Sequence, residues 1–227
     1  MYRLLIFIMF FSNYSMANMK IAPLRVITTE ANTTQKFLVS NTGDKSIRVR
    51  ISPSFVESPM SKYQTRHKNI NQKNEDLTPF LHVSPPVIST LIPNERKIIR
   101  LRISDIPNNY LSGEYRTHLK FTQEVIKKLN PPTDEDTSIS FDLAMLVNSS
   151  IPIYYQKKDR TTPPKAIIKC SKNHLTIINN SRYQKKIELL GADTYKQFIL
   201  LRQSDLDIAY NGKTTIKIND EQQKVCL

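Results

Sequence analysis

The side chains best suited to hold a metal or move a proton near neutral pH are His67, His82, His118 and His174. None stands at ligand spacing from another histidine or from a cysteine, so they read as surface or strand residues. No serine lies in a glycine-flanked nucleophile elbow, and no dinucleotide fingerprint occurs. With only 4 Gly there is little material for phosphate-cradling loops. The residues therefore point to a chain that is not an enzyme and has no metal or cofactor. The remaining chemistry belongs to Cys170 and Cys226, the only two cysteines. They form either a disulfide or two buried free thiols, and the compartment decides between these.

The N-terminus addresses that question. Arg3 supplies a positive start, Leu4 to Phe11 an apolar run, and Ser15, Met16 and Ala17 a small-x-small cleavage site. Together they read as a secretory signal peptide over 1–17, with the mature chain starting at Asn18. The run is shorter than the about 20 apolar residues that span a bilayer, and no later stretch approaches that length, so the protein is not expected to be membrane-embedded. An oxidising compartment favours pairing of Cys170 with Cys226. The formal net charge of +13 is spread through strands and loops, which reads as a solvated basic surface and not as a nucleic-acid groove.

Binding, not catalysis, is what the most regular stretch suggests. From Ser138 to Tyr155 every second residue is apolar over most of its length: Ile139, Phe141, Leu143, Met145 and Val147, then Ile151, Ile153 and Tyr155. A period of two puts one hydrophobic row on one face of a strand. Ordinary strands run to about 5 or 6 residues, so one continuous strand of this length would overshoot its own domain. The plainer reading is a core strand of a sandwich whose far end joins a linker.

The elements around it are also strands. Ile21 to Thr29, Lys36 to Asn41 and Ser46 to Ser52 alternate, the last with Ile47, Val49 and Ile51 facing one way and Arg48 and Arg50 the other. Glu57 to Thr78 is polar and has no sustained period, as expected of a long loop or small exposed excursion. Phe80 to Leu91 is broken by Pro85 and Pro86. Lys97 to Ser104 carries Ile99, Leu101 and Ile103 inward with Arg100 and Arg102 outward, and Gly113 opens a strand with Tyr115, Thr117, Leu119 and Phe121 on one face. After Tyr155 the composition turns charged and proline-paired, and then sandwich texture resumes, with Asn211 and Gly212 as a turn. The expected fold is all-β, with two immunoglobulin-like β-sandwich domains: a first over 18–156, a linker over 157–164 and a small second domain over 165–227. A unit that small gains much from a disulfide.

Three motifs carry a resemblance: LTPFLHVSPPVISTLIPNERKIIRLRI (Leu77 to Ile103), GEYRTHLKF (Gly113 to Phe121) and NSSIPIYY at the end of the long strand. Together with LRVI at Leu24 to Ile27, in this order, they resemble the periplasmic pilus-assembly chaperones, the PapD-like family, and most closely its archaic-type branch. The second domain matches only in texture. The resemblance implies a periplasmic protein that binds incomplete pilus or fimbrial subunits and delivers them to an outer-membrane usher. Such a subunit lacks one strand, and the chaperone lends its own by donor-strand complementation. The side chains assigned to the subunit's groove are Ile139, Phe141, Leu143, Met145 and Val147. Arg25 matches the family's first-strand arginine, which grips the subunit's C-terminal carboxylate. The family's partner lysine is replaced by Pro152, and Gln156 stands where a basic residue is common, with Lys157 and Lys158 as nearby substitutes. A secreted two-domain structural or adhesive surface protein is the alternative from another class.

Overall fold

The structure is a computed structural model and describes residues 19–57, 62–68, 70–125, 147–158, 164–191, 195–210, 212–219 and 221–226. The signal segment therefore lies outside the described residues, as do Ile139, Phe141, Leu143 and Met145. Among the described residues there is no α-helix, and none is long and apolar enough to cross a membrane.

The first half contributes ten strands: β1 (Met19–Ala22), β2 (Val26–Thr29), β3 (Thr34–Asn41), β4 (Ile47–Ser54), β5 (Gln64–Arg66), β6 (Leu81–Ser84), β7 (Val87–Leu91), β8 (Arg96–Ile103), β9 (Gly113–Val125) and β10 (Val147–Lys157). One sheet runs in the order β1, β3, β8, β6 and the facing sheet in the order β2, β10, β9, β4, β7. Alternation explains the packing between them. Ile47, Val49, Ile51, Ile99, Leu101 and Ile103 are all buried, while Arg48, Arg50, Arg100 and Arg102 are exposed. The rings of Phe37 and Phe121 meet inside the core with centroids 6.0 Å apart. Each such fully buried side chain contributes about 1.5 to 3 kcal/mol.

Two expected segments are divided by proline. Ile21 to Thr29 is not one strand: β1 belongs to one sheet and β2 to the other, with Pro23 between them. Pro85 and Pro86 do the same for β6 and β7, which are edge strands of opposite sheets. Proline has no N–H for a ladder, so the chain leaves one sheet there and joins the next.

The second half supplies β11 (Ile167–Ser171), β12 (His174–Asn179), β13 (Lys185–Leu190), β14 (Tyr195–Leu200), β15 (Ser204–Ala209), β16 (Thr214–Ile218) and β17 (Glu221–Cys226). They enclose a second, separate core built on Leu175, Ile177, Ile187, Leu200, Leu206 and Ile216. The turn at Gly212 joins β15 to β16 across two sheets, so it is not a hairpin. Cys170 and Cys226 form a disulfide. It staples β11, an edge strand of one sheet, to β17, an edge strand of the other.

The polar stretch expected to be a loop does more than that. Its short strand β5 pairs antiparallel with β15, so the second domain's sheet reads β11, β12, β15, β5 and ends on a strand from the first half. Three residues are too few to show a period, which is why the sequence pattern is silent there. The Gln64 side chain donates to the Ile199 carbonyl at 2.9 Å, and His67 Nε2 meets Asp205 Oδ1 at 2.8 Å. These contacts fix the orientation of one domain on the other.

Candidate functional site: an open strand edge and an interdomain cleft

Strand β10 is paired with β9 along its whole length, from Val147 opposite Gln123 to Lys157 opposite Gly113. On its other side β2 covers only Ile153 to Gln156. The backbone edge from Val147 to Pro152 therefore has no strand partner among the described residues. Side-chain cover fails at the start of this stretch. Ile151, Ile153 and Tyr155 point into the first core and are at most 3% exposed, whereas Val147, on the same row, is 47% exposed. Val147, the first described residue of the row, thus lies outside the core that buries the rest of it. Unpaired N–H and C=O groups beside an uncovered apolar row form a template for another chain's strand.

Next to the paired end of β10 the two domains meet at Arg25. Its guanidinium lies over the Tyr154 ring, 4.6 Å from the centroid, and its Nη2 donates to the Gln184 side-chain oxygen from the second domain. Arg25 Nε and Gln184 Nε2 are both buried and have no hydrogen-bond partner among the described residues. Buried donors left without a partner are costly. Lys157, a candidate for the basic partner, donates from its Nζ to the carbonyls of Pro107 at 2.7 Å and Tyr110 at 3.0 Å. Lys158 is exposed.

Glu114 feels the charge of Arg25. Glu114 is 2% exposed and accepts from Gln156 Nε2 at 3.1 Å. Burial pushes its carboxyl up to about 7, against the pull of Gln156, Arg202 and Arg25.

The GEYR run at the start of β9 holds the junction together. Gly113 has φ +145°, and a Cβ there would meet the Cβ of Arg182 at 2.9 Å, so only glycine admits the second domain this closely. The Glu114 N–H donates to the Arg182 carbonyl at 2.9 Å, and the Tyr115 hydroxyl to the Leu111 carbonyl at 2.6 Å. Arg116 donates to Glu75 Oε2 at 3.0 Å, Val56 O at 2.8 Å and Gln72 Oε1 at 2.6 Å. Sequence reading placed Tyr115 on the inward face of this strand but assigned nothing to Glu114, Arg116 or Gln184. In sequence the charge of Glu114 and Arg116 reads as a solvated face, so no pattern there marks them.

No family model matches the chain, and no curated protein sequence matches it. Solved structures do. The SafB chaperone of Salmonella enterica, determined with the SafA pilin, is 14% identical, with 93% of this chain and 95% of that chain covered and a TM-score of 0.54. The E. coli chaperone DraB is 15% identical, with coverage of 92% and 96% and a TM-score of 0.55. The CupB2 chaperone of Pseudomonas aeruginosa is 11% identical, with coverage of 91% and 97% and a TM-score of 0.53. These likenesses run through both domains, and they agree with the order of sheets and the two cores described above. The chain has the two-domain, all-β fold of the pilus-assembly chaperones.

Proposed function

We propose that the protein is a periplasmic chaperone that holds strand-deficient pilus subunits by lending them the strand containing Val147, and passes them to an outer-membrane usher. The observation that carries this reading is the coincidence at Val147 of an open backbone edge and an apolar side chain exposed outside its own core. The row continues in sequence through Met145, Leu143, Phe141 and Ile139, the side chains assigned to the subunit's groove. SafB, a structural neighbour, binds a pilin, which supports a pilin-type partner here. In this reading Arg25 and Gln184 receive the subunit's C-terminal carboxylate, with Tyr154 supporting the guanidinium from below.

Co-export with candidate pilus subunits tests the proposal. Subunits should accumulate as soluble one-to-one complexes with this chain. Equal aggregation or degradation of every subunit with and without the chain would overturn it.

A further inference from the structure

The outward face of the sheet β1, β3, β8, β6 is on the opposite side of the first domain from β10, and nothing in the capture of a subunit uses it. Register gives its layout. Ala22, Leu38 and Ile98 form one cross-strand row, with Leu38 37% and Ile98 55% exposed. On one side of that row stand Lys20, Ser40 and Arg96, and on the other Lys36 and Arg100 are directly paired, with Thr34 opposite Arg102 beyond. None of the four strands contains an aspartate or glutamate. Lys20, Lys36, Arg96, Arg100 and Arg102 make no ion pair among the described residues. A concavity of about 370 Å³ opens where Lys20 and Arg96 flank Ala22 and Leu38.

Like charges directly opposite across two strands weaken a sheet, and exposed apolar residues at its centre add nothing to the free protein. Both features acquire a use only when something covers them. We infer that this face docks a second, acidic protein partner, one that seats an apolar side chain on the Leu38 and Ile98 row between carboxylates. Alternate residues of β8 lie roughly 7 Å apart, so the two cationic rows are separated by about 14 Å along the strand. A partner segment of the form acid, x, apolar, x, acid matches that spacing in extended conformation. Charge complementarity of this kind steers encounter and fixes orientation. The apolar row selects a protein over a polyanion, because a phosphate backbone has nothing to place on it.

The test uses the full exported chain without any subunit, so its result is independent of the chaperone reading. The probe is a synthetic peptide containing Glu-Ser-Leu-Ser-Glu, titrated at low salt and followed by amide chemical shifts, with phosphatidylglycerol vesicles and a single-stranded oligonucleotide as competitors. Shifts centred on Leu38 and Ile98, lost when the central leucine is replaced by serine, are expected. The variant Lys36→Glu places an acid opposite Arg100, so it should melt no lower than the parent while binding the peptide at least tenfold more weakly. Absence of shifts on this face, unchanged binding by Lys36→Glu, or stronger binding of vesicles or oligonucleotide than of peptide would each overturn the inference.

Discussion

Arg116 Nε donates to the carboxylate of Glu75 at 3.0 Å, one of several bonds that tie strand β9 to the segment following β5, a strand that pairs into the second domain's sheet. Arg66 pairs with the same carboxylate, and Arg202 of the second domain approaches it at 3.5 Å. Glu75 is 1% exposed, so one buried anion holds three guanidinium groups from three parts of the chain. Burial pushes Arg66 and Arg202 below their ordinary value, a sign that these charges depend on Glu75. Glu75→Ala should therefore cost about 3 to 5 kcal/mol, the usual effect of leaving buried charge unpaired. Denaturant unfolding checks it, and a loss under about 1 kcal/mol would show the arginines to be better solvated than the structure has them.

Glu114 predicts how stability depends on pH. Its carboxyl titrates near 4.5 when unfolded and near 7 when folded, so between those values the folded state binds the extra proton. Stability should then fall as pH rises from about 5 to 7 and level off above. The shift amounts to roughly 3 kcal/mol at pH 8. Glu114→Gln should raise the melting temperature by several degrees at pH 8 and change it little at pH 4.5. Thermal melts at the two pH values decide this.

Arg25 is expected to matter for capture and not for folding. Removing one partner of a desolvated, hydrogen-bonded charge pair costs about 2 to 5 kcal/mol of binding. Arg25→Ala should weaken the subunit complex to that extent, and Gln184→Ala should weaken it less, because an amide supplies one neutral donor. A subunit lacking its C-terminal carboxylate should be indifferent to both changes. Titration calorimetry with the two subunit forms checks all three outcomes.

The disulfide closes a loop with a sequence separation of 56. Loop-closure entropy at that length corresponds to about 4 kcal/mol in the unfolded chain. Replacing both Cys170 and Cys226 by serine should lower the stability of the second core by an amount of that order and leave the first core folded. Amide exchange resolved by domain separates the two.

Much of the fold was readable before the structure, and the reason is the period of two. Segments such as Ile47 to Ile51 and Ile99 to Ile103 alternate cleanly because one face is dry and the other wet. The β5 crossover was not readable, since three residues at a sheet edge carry no period and their partner β15 is 138 or more positions away in the chain. Arg25 was found through resemblance, yet its neighbour Gln184 was invisible: a single glutamine in a distant turn gains meaning only when folding brings it to Arg25. Glu114 and Arg116 were hidden by their charge, which ordinarily marks a solvated face. Here the second domain and the Gln72 to Glu75 turn cover that face.

Subunit capture by the strand containing Val147 is the central claim, and hydrogen exchange tests it at the backbone itself. Amides over 138–151 that are not already bonded to β9 should gain at least tenfold protection when a strand-deficient subunit binds, because each new ladder bond occupies a free donor. Protection that appears elsewhere on the molecule, with 138–151 exchanging as in the free protein, would contradict the account.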